Sequence, residues 1–129
     1  MKMTLADVKV RQQALAEIAP RRLPGKLAYA IGKNLMALQE AAELIERQRV
    51  AIAESYAKKD EEGKPIVKDN SYDMENMEAF KTEFGEFLAE EEEIEVRTVP
   101  VSVLEMLDEA RFYALSPAEM IAIDFMLEE

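Results

Sequence analysis

The fold is decided by residues 26–59, KLAYAIGKNLMALQEAAELIERQRVAIAESYAKK. Apolar residues recur there at Leu27, Ile31, Leu35, Leu38, Ala42, Ile45, Ile52 and Tyr56. From Ile31 the steps run 4, 3, 4, 3; Arg49 stands where the next apolar residue is due, and the rhythm then resumes. That is a heptad-like seam interrupted once. At 1.5 Å per residue the predicted helix is about 50 Å long. The opposite face carries Glu40, Glu43, Glu46, Arg47, Glu54 and Lys58. A helix of this length in so short a chain must project or cover its seam with a partner. Leu35, Leu38, Ile45, Ile52 and Tyr56 are therefore candidate interaction residues, and a homo-oligomer, most simply a dimer, is the expected cover.

The flanking segments read as separate elements. Thr4 with Asp7 resembles a capping box, and Leu5, Val8, Leu15 and Ile18 fall near one face, so a helix is predicted over 4–19, stopped by Pro20. Arg21 to Gly25 is a basic turn with two nearby prolines. Asp60 to Gly63 reads as the end of the long helix, with Gly63 as a left-handed cap. Lys64 to Lys68 and Tyr72 to Met74, around the turn residues Asp69, Asn70 and Ser71, predict a β-hairpin over 64–74. Met77, Phe80, Phe84, Phe87 and Leu88 make an apolar stripe for a helix over 76–91, expected to run back along the long helix. Ile94, Val96 and Thr98 alternate with Glu95, Arg97 and Val99, a strand pattern over 94–101 that Pro100 assigns to an edge. Over 102–129, the capping-box spacings at Ser102–Glu105 and Ser116–Glu119 predict two short helices. The expected fold is one α+β domain, mainly α: a long antiparallel helical hairpin with a small β-hairpin or sheet element and short C-terminal helices.

Composition narrows the chemistry. The 129 residues include no Cys and no His. Disulfides, thiolate nucleophiles, cysteine-ligated metals and a Ser–His–Asp arrangement are thereby excluded within the chain. Carboxylate, lysine or oxygen-only metal chemistry remains. Adjacent glutamates on a helix point in different directions, so the run at 90–93 is a poor cation site. The four glycines, at 25, 32, 63 and 85, form no phosphate-binding loop. The expectation is a non-enzymatic protein with no cofactor. No stretch approaches the roughly 20 apolar residues of a membrane span. Asp7 and Lys9 break any signal-like start. A cytoplasmic protein without membrane contact is expected.

Charge adds a polarity. Residues 1–34 carry a net +5 and residues 35–129 a net −16, within an overall −11. The acidic majority repels phosphate, which disfavours direct nucleic-acid binding. Two binding readings remain. One is protein–protein interaction or self-assembly through the seam. The alternative is an acidic mimic, with Glu90, Glu91, Glu92 and Glu93 as phosphate substitutes in the basic groove of a host nucleic-acid-binding or defence enzyme.

The order of elements resembles that of small uncharacterised accessory proteins of tailed bacteriophages and prophages. The residues that carry the resemblance are Leu23-Pro24-Gly25-Lys26 before the long helix, the Ala28 to Leu35 segment, the acidic turn Asp60 to Gly63, the Phe-rich helix, and Ser116 to Glu119. The resemblance implies a phage accessory protein acting inside a bacterial host, and it carries over no catalytic residue.

Overall fold

The computed structural model describes residues 1–129 and is mainly helical, with three sheets of two strands each. The seam forms helix α2, Gly25–Tyr56, whose 32 residues span about 48 Å. It follows helix α1, Leu5–Ile18, which is opened by Thr4 Oγ1 accepting the Asp7 N–H at 3.1 Å. The turn through Pro20 and Pro24 folds α1 back onto α2. Val8, Leu15 and Ile18 of α1 share one buried core with Leu27, Ile31, Leu38 and Ile45 of α2. Helix α3, Met77–Leu88, is opened by the Asn76 side chain accepting the Ala79 N–H at 3.1 Å, and it packs on the rest of α2. Leu5 at the start of α1 and Phe87 near the end of α3 line one groove with Ile45. Two short helices, about 21 and 18 Å long, therefore divide the length of α2 between them. That is how a helix too long for one partner is covered within a small domain. The hairpin expected from α2 and α3 alone is instead shared, with α1 as a main partner of α2.

Where α1 and α3 meet, the backbone is stitched. Strand β1, Lys2–Thr4, runs antiparallel to β4, Glu91–Glu93, with Lys2 opposite Glu93 and Thr4 opposite Glu91. The Leu5 N–H then donates to the Glu90 carbonyl at 2.9 Å. The helix predicted to reach residue 91 thus stops at Leu88. Consecutive carboxylates oppose the negative end of a helix dipole, and β1 offers their backbone a ladder instead.

Three other boundaries differ from the expectation. The long helix ends at Tyr56 rather than residue 59, because residues 57–59 leave to bridge Met74 and Pro65. Lys58 there donates to the Asp73 carbonyl at 2.7 Å and accepts from the Ile66 N–H at 2.8 Å. The hairpin itself is short: β2, Val67–Lys68, and β3, Ser71–Tyr72, joined through Asp69 and Asn70, both at positive φ. Two successive positive φ angles match a type I′ turn. Gly63 is left-handed (φ 82) but closes the Asp60–Lys64 turn rather than capping α2.

Residues 94–98 form no strand; only β5, Val99–Pro100, is extended and paired, parallel to β6, Leu127–Glu128. The ladder bonds that alternation led one to expect at Arg97 are taken by an asparagine side chain on α2, described below. The first C-terminal helix is a 3₁₀ helix, Val101–Asp108, that begins after Pro100 and not at the Ser102 box. Its β-branched Val101 and Val103 are weak α-formers. The second, α4, Pro117–Ala122, carries the complete capping box: Ser116 Oγ accepts the Glu119 N–H at 3.2 Å and Glu119 Oε1 accepts the Ser116 N–H at 2.9 Å. A short 3₁₀ turn, Asp124–Met126, then buries Met126 against the core.

Candidate functional site

The seam residues lie inside the protomer. Leu38, Ile45 and Ile52 are buried, and Leu35 is half-buried against the same core. Tyr56 is half-buried at the end of α2, with its hydroxyl 3.5 Å from Glu83 Oε1. The expectation that this seam needs a second chain to cover it is corrected: α1 and α3 pack along α2, and the five residues are buried or half-buried within the protomer. The interruption at Arg49 has a local solution. Its guanidinium turns aside to Glu46, with Nε at 2.9 Å and Nη2 at 2.5 Å from the two carboxylate oxygens. This hydrogen bond is the main cause that holds the Glu46 carboxyl below the usual range and raises Arg49. At an exposed i,i+3 site solvent screening leaves such a pair worth about 0.3–0.5 kcal/mol.

Glu90 to Glu93, by contrast, are exposed. Glu90, Glu92 and Glu93 belong to an open groove of about 640 Å³ over the middle of α2. Its floor is apolar, from Leu5, Ala37, Ala41, Ile45, Phe87 and Ile94. Ala37 and Ala41 keep it open, since side chains of that size leave unfilled the space between α2 and β4. Leu44 stands at the lip, 60% exposed. The rim is completed by Glu40 and Glu95, and no Lys or Arg lines it. Glu93 accepts from the Met1 α-ammonium at 2.8 Å, which holds its carboxyl below the usual range. Of the candidate residues, Ile45, Glu90, Glu92 and Glu93 are thus brought together, and Leu35, Leu38, Ile52, Tyr56 and Glu91 are not among the groove residues.

Toward the start of α2 the surface changes sign. Asn34, 1% exposed, is the buried polar residue of the core. Its Oδ1 accepts the Arg97 N–H at 2.7 Å, and its Nδ2 donates to the Arg97 carbonyl at 2.9 Å. This two-sided clamp ties residue 97 to α2. The Arg97 guanidinium then lies 4.8 Å from the centre of the Tyr29 ring, and with Lys26 it lines a smaller cleft.

These features are not among the apolar positions of the seam and do not follow from its periodicity. Tyr29, Met36 and Leu44 are 55%, 66% and 60% exposed, on the side of α2 away from the core. Their spacing of seven and eight residues was a second, weaker stripe behind the buried one. Asn34 carried its own signal, a polar residue on the face of Leu27, Ile31 and Leu38.

Chemically, the groove offers an apolar floor to a nonpolar side chain and a ring of carboxylates to cations. No cluster of three or more acidic side chains is arranged to hold a metal ion. No helix is long and apolar enough to cross a membrane. No protein-family model, curated protein or solved structure matches this chain.

Proposed function

We propose that the chain is a non-enzymatic accessory protein, of the tailed-phage kind, that acts inside a bacterial host by binding protein. The observation that supports this reading is the groove: an apolar surface at Ala37, Ala41, Leu44 and Phe87 in a molecule whose seam is otherwise covered, under a carboxylate rim free of Lys and Arg. Apolar floors with charged rims are the usual anatomy of a protein interface. The test is affinity capture from a bacterial lysate, with the Leu44→Asp variant alongside. A protein retained by the wild type and lost with the variant supports the reading. Equal recovery by both, or no retained protein from a chain that is also monomeric, refutes it.

A second reading, the acidic mimic, has an observation of its own. Glu91–Glu93 are held extended and exposed. A strand advances about 3.3 Å per residue with side chains on alternate faces, so Glu91 and Glu93 offer one face two carboxylates about 6.6 Å apart, an anionic row that a phosphate-binding groove can accept. A mimic binds a basic enzyme in a salt-sensitive way, and changing Glu90 to Glu93 to Lys abolishes that binding while leaving the fold intact. Binding indifferent to the reversal removes the mimic and leaves the groove.

A further inference from the structure

The exposed side of α2 carries one row of residues: Lys26, Tyr29, Lys33, Met36, Glu40, Leu44 and Arg47. It is basic toward the start of the helix and acidic toward the middle. The segment clamped by Asn34 has the same polarity. Its Arg97 lies over Tyr29, while its Glu93 and Glu95 border the groove beside Leu44. Two separate elements therefore place cations at the start of this face and carboxylates past its middle, with exposed apolar side chains interleaved.

We propose that this face binds a second copy of the chain in an antiparallel two-fold pairing, with the axis beside Met36 and Ala37. The proposal rests on the protein-binding reading above and names the partner. A two-fold interface must be complementary to itself. An antiparallel pairing about that point sets Lys33 opposite Glu40, Tyr29 opposite Leu44 and Met36 opposite Ala37, each twice. Arg97 of one copy, held beside Tyr29, then approaches the carboxylate rim beside Leu44 of the other. The same register sets Lys26 opposite Arg47 at each end of the row, a like-charge pair at the exposed ends that weakens the pairing, while the Lys33–Glu40 pairs and the approach of Arg97 to the carboxylate rim, each made twice, favour it. A parallel pairing would instead set each charged end against its like.

The row is about 33 Å long and, with the clamped segment beside it, roughly 20 Å wide. That offers roughly 650 Å² per protomer, under the ~800 Å² of a standard interface. The expected dimer is therefore micromolar, and salt weakens it.

The experiment is sedimentation velocity with light scattering on the full chain over a concentration series. The wild type is expected to dimerise at high micromolar concentration and to dissociate on dilution. Lys33→Glu and Glu40→Lys each set like charges opposite one another twice, and each raises the dissociation constant roughly tenfold. The double variant restores the pairing, because the two charges exchange places. Circular dichroism checks that each variant is folded. The chain has no cysteine, so Met36→Cys provides a unique thiol beside the axis. Mild oxidation should cross-link it, while Val10→Cys on α1, at the same 66% exposure, stays monomeric. A strict monomer at high micromolar concentration overturns the pairing. So does a dimer indifferent to the charge changes, or one cross-linked equally at both sites. A monomer that nevertheless captures a bacterial protein in a Leu44→Asp-sensitive manner overturns the pairing but leaves the protein-binding reading standing.

Discussion

Asn34→Ala tests the clamp that holds residue 97 against α2. The substitution removes two hydrogen bonds to the Arg97 backbone, at 2.7 and 2.9 Å, from a side chain that is 1% exposed. Each contributes about 1 kcal/mol net, and the vacated space adds roughly 1 kcal/mol more. The expected loss is about 3 kcal/mol. For a chain of this size 1 kcal/mol moves Tm by about 3–5 °C, so Tm should fall by about 10 °C. Urea titration followed by circular dichroism measures the loss, and amide exchange locates it: the Arg97 N–H should lose protection before the middle of α2 does. Asn34→Leu separates polarity from volume. It refills the space without offering a donor or acceptor, so it should be at least as damaging as Ala. A loss below about 1 kcal/mol for Ala, or wild-type stability for Leu, would show that the hydrogen bonds are not what holds the segment.

Leu38→Ala, at a fully buried site, should cost about 3 kcal/mol in urea unfolding, whereas Leu44→Ala, 60% exposed, should stay within about 0.5 kcal/mol; similar losses would contradict the division of α2 into covered and open faces. Ser116→Ala removes the cap of α4 and should cost about 1 kcal/mol in the same assay. Its partner Glu119 is held below the ordinary carboxylate range, first by the Ser116 N–H hydrogen bond, so this contribution is complete at neutral pH and fades as acid takes the solution through and below that range. Glu119→Gln should flatten that part of an acid-unfolding curve, and an unchanged curve would count against the linkage. Gly63→Ala forces a Cβ into φ 82 and should destabilise the hairpin end by about 1 kcal/mol in thermal melts, although no neighbouring atom blocks the space.

Much of the architecture was legible because it rests on local chemistry. The seam of α2, the Thr4 and Ser116 caps, the Asn76 start of α3 and the Asp69-Asn70 turn are set by residues within a few positions of one another. The departures lie where a distant segment competed for the same backbone. Glu91–Glu93 left the helix for a strand because Lys2–Thr4 supplied the other half of the ladder. Residues 57–59 left α2 because Asp73 and Ile66 took their hydrogen bonds. Residues 94–98, alternating like a strand, found their partner in a helix side chain.

The sequence by itself determined that a long amphipathic helix dominates, that thiol and imidazole chemistry is excluded, and that charge is polarised along the chain. Periodicity and composition suffice for each of these. It could not say which apolar stripe of α2 is covered, since a helix shows its seam equally to its own chain and to a partner. Only the tertiary structure decided that, by laying α1 and α3 end to end along the stronger stripe. What it leaves exposed is the weaker one, with Tyr29, Met36 and Leu44, flanked by cations at its start and carboxylates past its middle because residues 90–97 are stitched to β1 and clamped by Asn34.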